Sequence, residues 1–265
     1  MLKLLKYEWK ACARICLPLY GLVILVALVN GLQMRSGFSD FLHGIPTILT
    51  SMLYFGVMVA VFVVTAVILI QRFYKNLLGS EGYLMFALPV SVSQHIFAKM
   101  LVAVVMSLLS CVAAVISVLL LAGVKDAFRA VIDFVPGIAK MDGGAVLLLL
   151  ESLLWFVLAA AAGTLFVYLC IALGHLAKKH RVLMAIVWYF VLTTVIQFLL
   201  SLVFLAAGNG LPPTVVMAMQ NFFSGMSGTG IASFVLLTAC GMTAAGGAIC
   251  FLGTRFILKN KLNLE

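Results

Sequence analysis

The sequence predicts an all-α integral membrane protein. It is expected to have six transmembrane helices, both termini inside, an amphipathic interfacial helix at the start and an apolar re-entrant hairpin before the last span. Three observations carry this. First, 65% of the residues are apolar and 9% charged, against about half and about a quarter in soluble domains. Second, five uncharged stretches, over 15–34, 45–71, 100–124, 152–174 and 182–254, each reach the roughly 20 residues that a helix needs to cross a bilayer. The last is too long for one crossing. It breaks at Gly208-Asn209-Gly210-Leu211-Pro212-Pro213, where two glycines and two prolines interrupt a helix, and so divides into two spans. Continuous apolar runs exclude a barrel, whose strands alternate every second residue. Third, Lys and Arg collect on alternate sides. Lys3, Lys6, Lys10, Arg14, Arg72, Lys75, Lys99, Lys178, Lys179, Arg181, Arg255, Lys259 and Lys261 fall on one side, and only Arg35, Lys125, Arg129 and Lys140 on the other. Basic residues favour cytoplasmic loops, which places both termini inside. The formal charge of +9 is scattered between spans, not gathered into a domain, and argues against nucleic acid.

Residues 1–16 place Lys3, Lys6, Lys10 and Arg14 on one helical face beside Leu5, Trp9, Cys12 and Cys16, the pattern of an interfacial helix, expected over 1–14. A basic start before an apolar run also resembles a signal peptide, but the run is long enough to span and lacks a clear cleavage site. It is therefore kept as the first crossing, TM1, over 15–34. A short external link with Arg35, Asp40 and His43 leads past Pro46 to TM2 over 47–70.

Residues 71–98 form a cytosolic loop with charge where its neighbours have none. Two short amphiphilic segments, 73–78 and 83–88, are joined by Gly79-Ser80-Glu81-Gly82 and ended by Pro89, and Ser91 to Gln94 supply capping residues before TM3 over 99–123. One reading is an ordinary juxtamembrane hairpin whose aromatics rest at the lipid boundary. The other is a short helix along the membrane that presents Glu81, Lys75 and aromatic anchors to a cytosolic partner's groove.

The run QRFYKNLLGSEGYLMFALPVS, followed by a span opening HIFAKMLVA, resembles the second-to-third helix loop of bacterial ABC transporter permeases of the type-2 exporter class. The rest of the likeness is architectural. The resemblance implies a permease subunit whose coupling helix in the 71–98 loop docks on a separate ABC ATPase subunit through Arg72, Tyr74, Lys75, Glu81, Gly82, Tyr83, Phe86 and Pro89. It further implies a second permease subunit, as homo- or heterodimer, and a place in the bacterial plasma membrane. ATP and magnesium are expected in the partner ATPase, with no cofactor in this chain.

Residues 124–144 alternate Lys125, Asp126, Arg129 and Asp133 with Phe128, Val131, Ile132 and Val135, the pattern of an external amphipathic helix lying on the bilayer or of a solvated loop. TM4, over 148–174, opens beside Glu151, which has apolar sequence on both sides. Because 152–174 alone can span, the outer interface is favoured for Glu151; deeper placement would make it a proton-coupling or cargo-contact group. TM4 carries Ala159 to Gly163 and TM6, over 230–258, carries Gly241 and Ala245 to Gly247. Such small residues suit close helix packing within the chain or a dimer seam. In TM5, over 182–207, Thr193 and Gln197 join Glu151 as candidates for a translocation path. The uncharged 208–229 connection is too apolar for a solvated loop, hence the expected hairpin. Residues 259–265 form a cytosolic tail.

The sequence contains no phosphate loop, metal signature or nucleophile elbow. The chain is therefore expected to be no enzyme, with ATP hydrolysed by its partner. Cys12 and Cys16 lie one turn apart without further ligands nearby, so no metal site is expected. The other function classes are a membrane scaffold or sensor that moves no cargo and, resting on Glu151, a proton-coupled carrier. Apolar walls with scattered Ser, Thr and Gln favour amphiphilic peptides, lipids or lipophilic drugs over small ions as cargo.

Overall fold

A computed structural model describes residues 2–35, 45–75, 91–177, 180–209 and 213–260. These form helices α1 (Leu2–Arg35), α2 (Ile45–Phe73), α3 (Val92–Ala122), α4 (Val124–Ala139), α5 (Gly143–His175), α6 (Arg181–Asn209), α7 (Pro213–Ser224) and α8 (Gly228–Asn260). No strand occurs among the described residues. Six of the helices, α1, α2, α3, α5, α6 and α8, are long and apolar enough to cross a membrane. Their outer faces are covered with exposed Leu, Ile, Val and Phe. In water such surfaces would drive aggregation; in lipid they match the solvent. The chain is an all-helical, multi-pass membrane protein.

Several helices outrun the stretches that apolarity alone delimits. The residues expected as an interfacial helix and those expected as TM1 lie in one unbroken helix, α1, 34 residues long. At 1.5 Å per residue that is about 51 Å, against about 30 Å of hydrocarbon. α3 likewise begins at Val92. Ser91 is its N-cap, and the Ser91 N–H donates to Gln94 Oε1 at 3.3 Å, as the Ser-x-x-Gln spacing suggests.

The chain divides into two compact units, the first built from α1 to α4 and the second from α5 to α8. In the first, α1 packs on α2 and α3. Cys12, Cys16, Tyr20, Val23 and Ala27, spaced three or four apart, form one stripe of α1 and meet Tyr54, Val61 and Ile68 of α2 and Val102, Met106 and Ala113 of α3. Paired contacts set the directions: Glu8, Tyr20 and Asn30 of α1 meet Arg72, Thr65 and Thr50 of α2 in reverse order. Glu8 and Tyr20 meet Lys99 and Met106 of α3 in forward order. α2 is thus antiparallel to α1, and α3 parallel to it. At Gly31 a Cβ would stand 2.7 Å from the Leu120 carbonyl oxygen, so only glycine lets α1 and α3 approach there. Gly123, with φ 121°, turns the chain from α3 into α4 through a conformation that L side chains rarely adopt. α4 packs against α3 and leaves Phe128, Val131, Ile132 and Phe134 exposed, with Lys125, Asp126, Arg129 and Asp133 along the same helix.

In the second unit α5 packs along α8 and against α6. Gly144 meets Thr229, Gly247 meets Ala162 and Gly253 meets Leu169, which makes α5 and α8 parallel. A Cβ on Gly174 would lie 2.5 Å from the Ala185 nitrogen, a close approach of α5 to α6. α7 occupies part of the apolar 208–229 connection. Phe222 and Phe223 stack edge-on against Phe234 of α8, with centroids 5.8 Å apart in each case.

Candidate functional site

Polar side chains inside a membrane helix bundle are costly unless they satisfy one another, so the buried ones locate the site. In the first unit the charged ones gather at one end. Glu8 is 5% exposed and Lys99 5%, and Lys99 Nζ donates to Glu8 Oε1 at 2.7 Å. Arg72 approaches from α2. Its Nη2 lies 3.5 Å from Glu8 Oε2, and its Nη1 donates to the Glu8 carbonyl oxygen at 3.3 Å and reaches Cys12 Sγ at 3.5 Å. One carboxylate from α1 therefore holds a cation from α2 and a cation from α3. His95, one turn before Lys99 on α3, is fully buried.

The placement follows from helical spacing. Glu8 precedes Cys12, Cys16 and Tyr20 at intervals of four, so it shares the stripe of α1 that faces the other two helices. Arg72 closes α2 and Lys99 stands two turns into α3. These are the two roots of the intervening 76–90 stretch. The cluster carries two cations and one anion. Such a buried group contributes less through its mutual attraction than it would cost to break: removal of Glu8 leaves Lys99 an unpaired buried charge. The cluster ties the end of α2 and the second turn of α3 to α1.

Of the sequence-derived coupling residues, Arg72 turns inward to Glu8, with its side chain about one quarter exposed at 24%. Tyr74 is half-buried and Lys75 exposed at the end of α2, and both make contacts. Glu81, Gly82, Tyr83, Phe86 and Pro89 lie outside the described residues. Of the translocation-path candidates, Glu151 on α5 accepts a hydrogen bond from Ser233 of α8 at 2.6 Å. Thr193 and Gln197 stand one turn apart on α6, Thr193 half-buried and Gln197 exposed. Sequence reasoning missed Glu8, since its four basic neighbours mark that turn as an interfacial surface. The signal that reveals it is the spacing of four to Cys12 and Cys16.

Two further polar rungs cross the first unit. Tyr20 donates to the Met106 carbonyl oxygen at 3.0 Å and lies 3.3 Å from Thr65 Oγ1. Tyr54 and Ser117 share a hydrogen bond of 3.0 Å. Cys12 and Cys16 are buried in this core, and no cluster of metal-binding side chains occurs among the described residues.

The fold and the site together define a multi-pass helical membrane protein with a charge-paired junction where one end each of α1, α2 and α3 meet. No protein-family model, no curated protein and no solved structure matches the chain.

Proposed function

We propose that this chain is the membrane-spanning permease subunit of an ATP-driven ABC exporter, working beside a second permease subunit and coupled to a separate cytosolic ATPase through the 71–98 loop. The observation that carries this reading is the junction of Glu8, Arg72 and Lys99. A loop that receives force from a partner must pass it to the helices, and this junction binds both loop roots to the first helix. The same end of the unit holds Lys3, Lys6, Lys10 and Arg14, the charge pattern of a cytosolic face. In this reading ATP-driven closure of the ATPase pair pushes the loop. α1, α2 and α3 then move as one body because their ends are locked together, and a central path opens alternately to each side.

The test is capture of the ATPase. The wild-type chain, purified in mild detergent, is expected to bring an ATPase with it, and a chain with Glu81→Ala and Tyr83→Ala is expected to lose it. Unchanged binding and unchanged stimulation of ATP hydrolysis in the double variant would remove the loop from the mechanism. Bound ATPase without movement of any cargo would leave a scaffold.

A further inference from the structure

Glu151 is the acidic residue of α5. It stands eight residues after Gly143, about 12 Å along a helix about 50 Å long. Ser233 of α8 donates to its Oε1 at 2.6 Å. Oε2 is buried and has no hydrogen-bond partner among the described residues. A carboxylate accepts about four hydrogen bonds, so this one is under-served. No described cation of the same unit is near. Its described basic residues are His175, His180, Arg181, Arg255 and Lys259. His175 lies about 36 Å further along α5, and Arg255 about 33 Å along α8 from Ser233. The contacts of Gly144 with Thr229 and of Gly247 with Ala162 bracket the Glu151–Ser233 pair within one parallel seam. Acidic groups within membrane helices are usually paired or line a path, and no described cation of this unit supplies the pair.

We propose that Glu151 and Ser233 form a binding site for a primary ammonium group carried on an apolar body. The ammonium donates to one carboxylate oxygen while Ser233 holds the other. The carboxylate torsion is broad, so a partial rotation swings the second oxygen out of the packed seam toward the exposed apolar face while Ser233 keeps the first. A divalent metal is a poor fit, since it needs several oxygen ligands and this site has one carboxylate. The apolar body follows from the surface around the pair: Leu147, Leu150, Leu154 and Trp155 of α5 and Phe234 of α8 are all exposed. The depth agrees. A 30 Å hydrocarbon layer centred on a 50 Å helix begins about 10 Å from its end, which puts Glu151 at the edge where amine headgroups sit. Two sources share this chemistry, an aminophospholipid headgroup and a single-chain lipophilic amine. The site extends the cargo side of the proposed exporter without resting on it, because the binding needs no ATP.

Trp155, one turn beyond Glu151, is a built-in reporter. The chain carrying Trp9→Phe and Trp188→Phe, reconstituted in phosphatidylcholine, is titrated with chain-brominated phosphatidylethanolamine or chain-brominated phosphatidylcholine, and quenching of Trp155 is followed. The ethanolamine lipid has N–H donors and the choline lipid has none. A preference of about tenfold for the ethanolamine lipid, the scale of one charge-assisted hydrogen bond, is expected if a lipid headgroup is the occupant. In a second arm sphingosine is added to brominated phosphatidylcholine bilayers; relief of quenching without an ethanolamine preference assigns the site to a single-chain amine. Either effect is expected to vanish in Glu151→Gln, weaken several-fold in Ser233→Ala and persist in Glu151→Asp. Equal quenching by both lipids together with no response to sphingosine overturns the proposal. So does an effect that survives Glu151→Gln.

Discussion

The two units contribute three membrane-crossing helices each, yet different forces hold them. In the α1 to α4 unit polar groups meet at intervals along the bundle: Glu8 with Lys99 and Arg72, then Tyr20 with Thr65 and Met106, then Tyr54 with Ser117 and Asn30 with Thr50. In the α5 to α8 unit the contacts are made by small residues, Gly174 against Ala185 and Gly247 against Ala162, and by aromatic edges around Phe234. Lipid tails are as apolar as leucine, so apolarity alone cannot choose which helices pair. The first unit chooses mainly by charge and hydrogen bond, although Gly31 also lets α1 approach α3 closely, and the second mainly by close approach of backbones, with Ser233 and Glu151 joining α5 to α8 by a hydrogen bond. A charge-locked unit suits a part that must move as one body. A unit packed through small, smooth surfaces allows helices to slide, and it houses the carboxylate oxygen that has no partner among the described residues.

The sharpest way to break this contrast is at Glu8. Glu8→Gln leaves Lys99 buried without a counter-charge, and a loss of about 3–5 kcal/mol is expected. Unfolding in mixed micelles by titration with dodecyl sulfate measures it. The paired change Glu8→Leu with Lys99→Leu is expected to recover most of that loss, because the buried charge leaves with its partner and Arg72 keeps access to solvent. A double variant as weak as the single one would show that the pair is not what joins α1 to α3.

A smaller effect is expected in the second unit. Gly174→Val drives a side chain into the Ala185 backbone and is expected to cost about 1–3 kcal/mol. Gly163→Ala, whose added Cβ meets nothing within 4 Å, is expected to be neutral by the same titration. Equal effects at the two positions would remove small-residue packing as the organising force there.

The smallest effect belongs to the middle rung. Tyr20→Phe removes its bonds to Met106 and Thr65 and is expected to cost about 0.6 kcal/mol, at most about 1.7, the range measured for interhelical hydrogen bonds in membranes. A cost comparable with that of Glu8→Gln would mean that the first unit is held at its middle and not at its end.

The six crossings were legible because lipid imposes a simple rule: a spanning helix is long and apolar. α4 was legible in its alternation of charges with Phe128, Val131 and Ile132, and the start of α3 in Ser91 and Gln94. Glu8 was not. A turn with Lys3, Lys6, Lys10 and Arg14 looks like surface, and only the arrival of Lys99 and Arg72 from two other helices makes its carboxylate an interior group. In sequence Arg72 and Lys99 mark a side of the membrane, and Arg72 also falls in the expected coupling loop; what each one touches is a property of the packed bundle. For Glu151 the apolar setting was visible in sequence, whereas Ser233, 82 positions away, becomes its partner only because α5 and α8 run parallel.

The central claim is that the Glu8 junction passes force between a cytosolic ATPase and the membrane helices, and the ATPase rate of the reconstituted complex tests it most directly. The complex captured with the wild-type chain is compared with that captured by Glu8→Gln, at matched amounts of bound ATPase. Retained ATPase binding with lost cargo-stimulated hydrolysis is the expected result, since the loop would still dock but no longer move the helices together. Full stimulation in Glu8→Gln, or no ATPase accompanying the wild-type chain in any mild detergent, would contradict it.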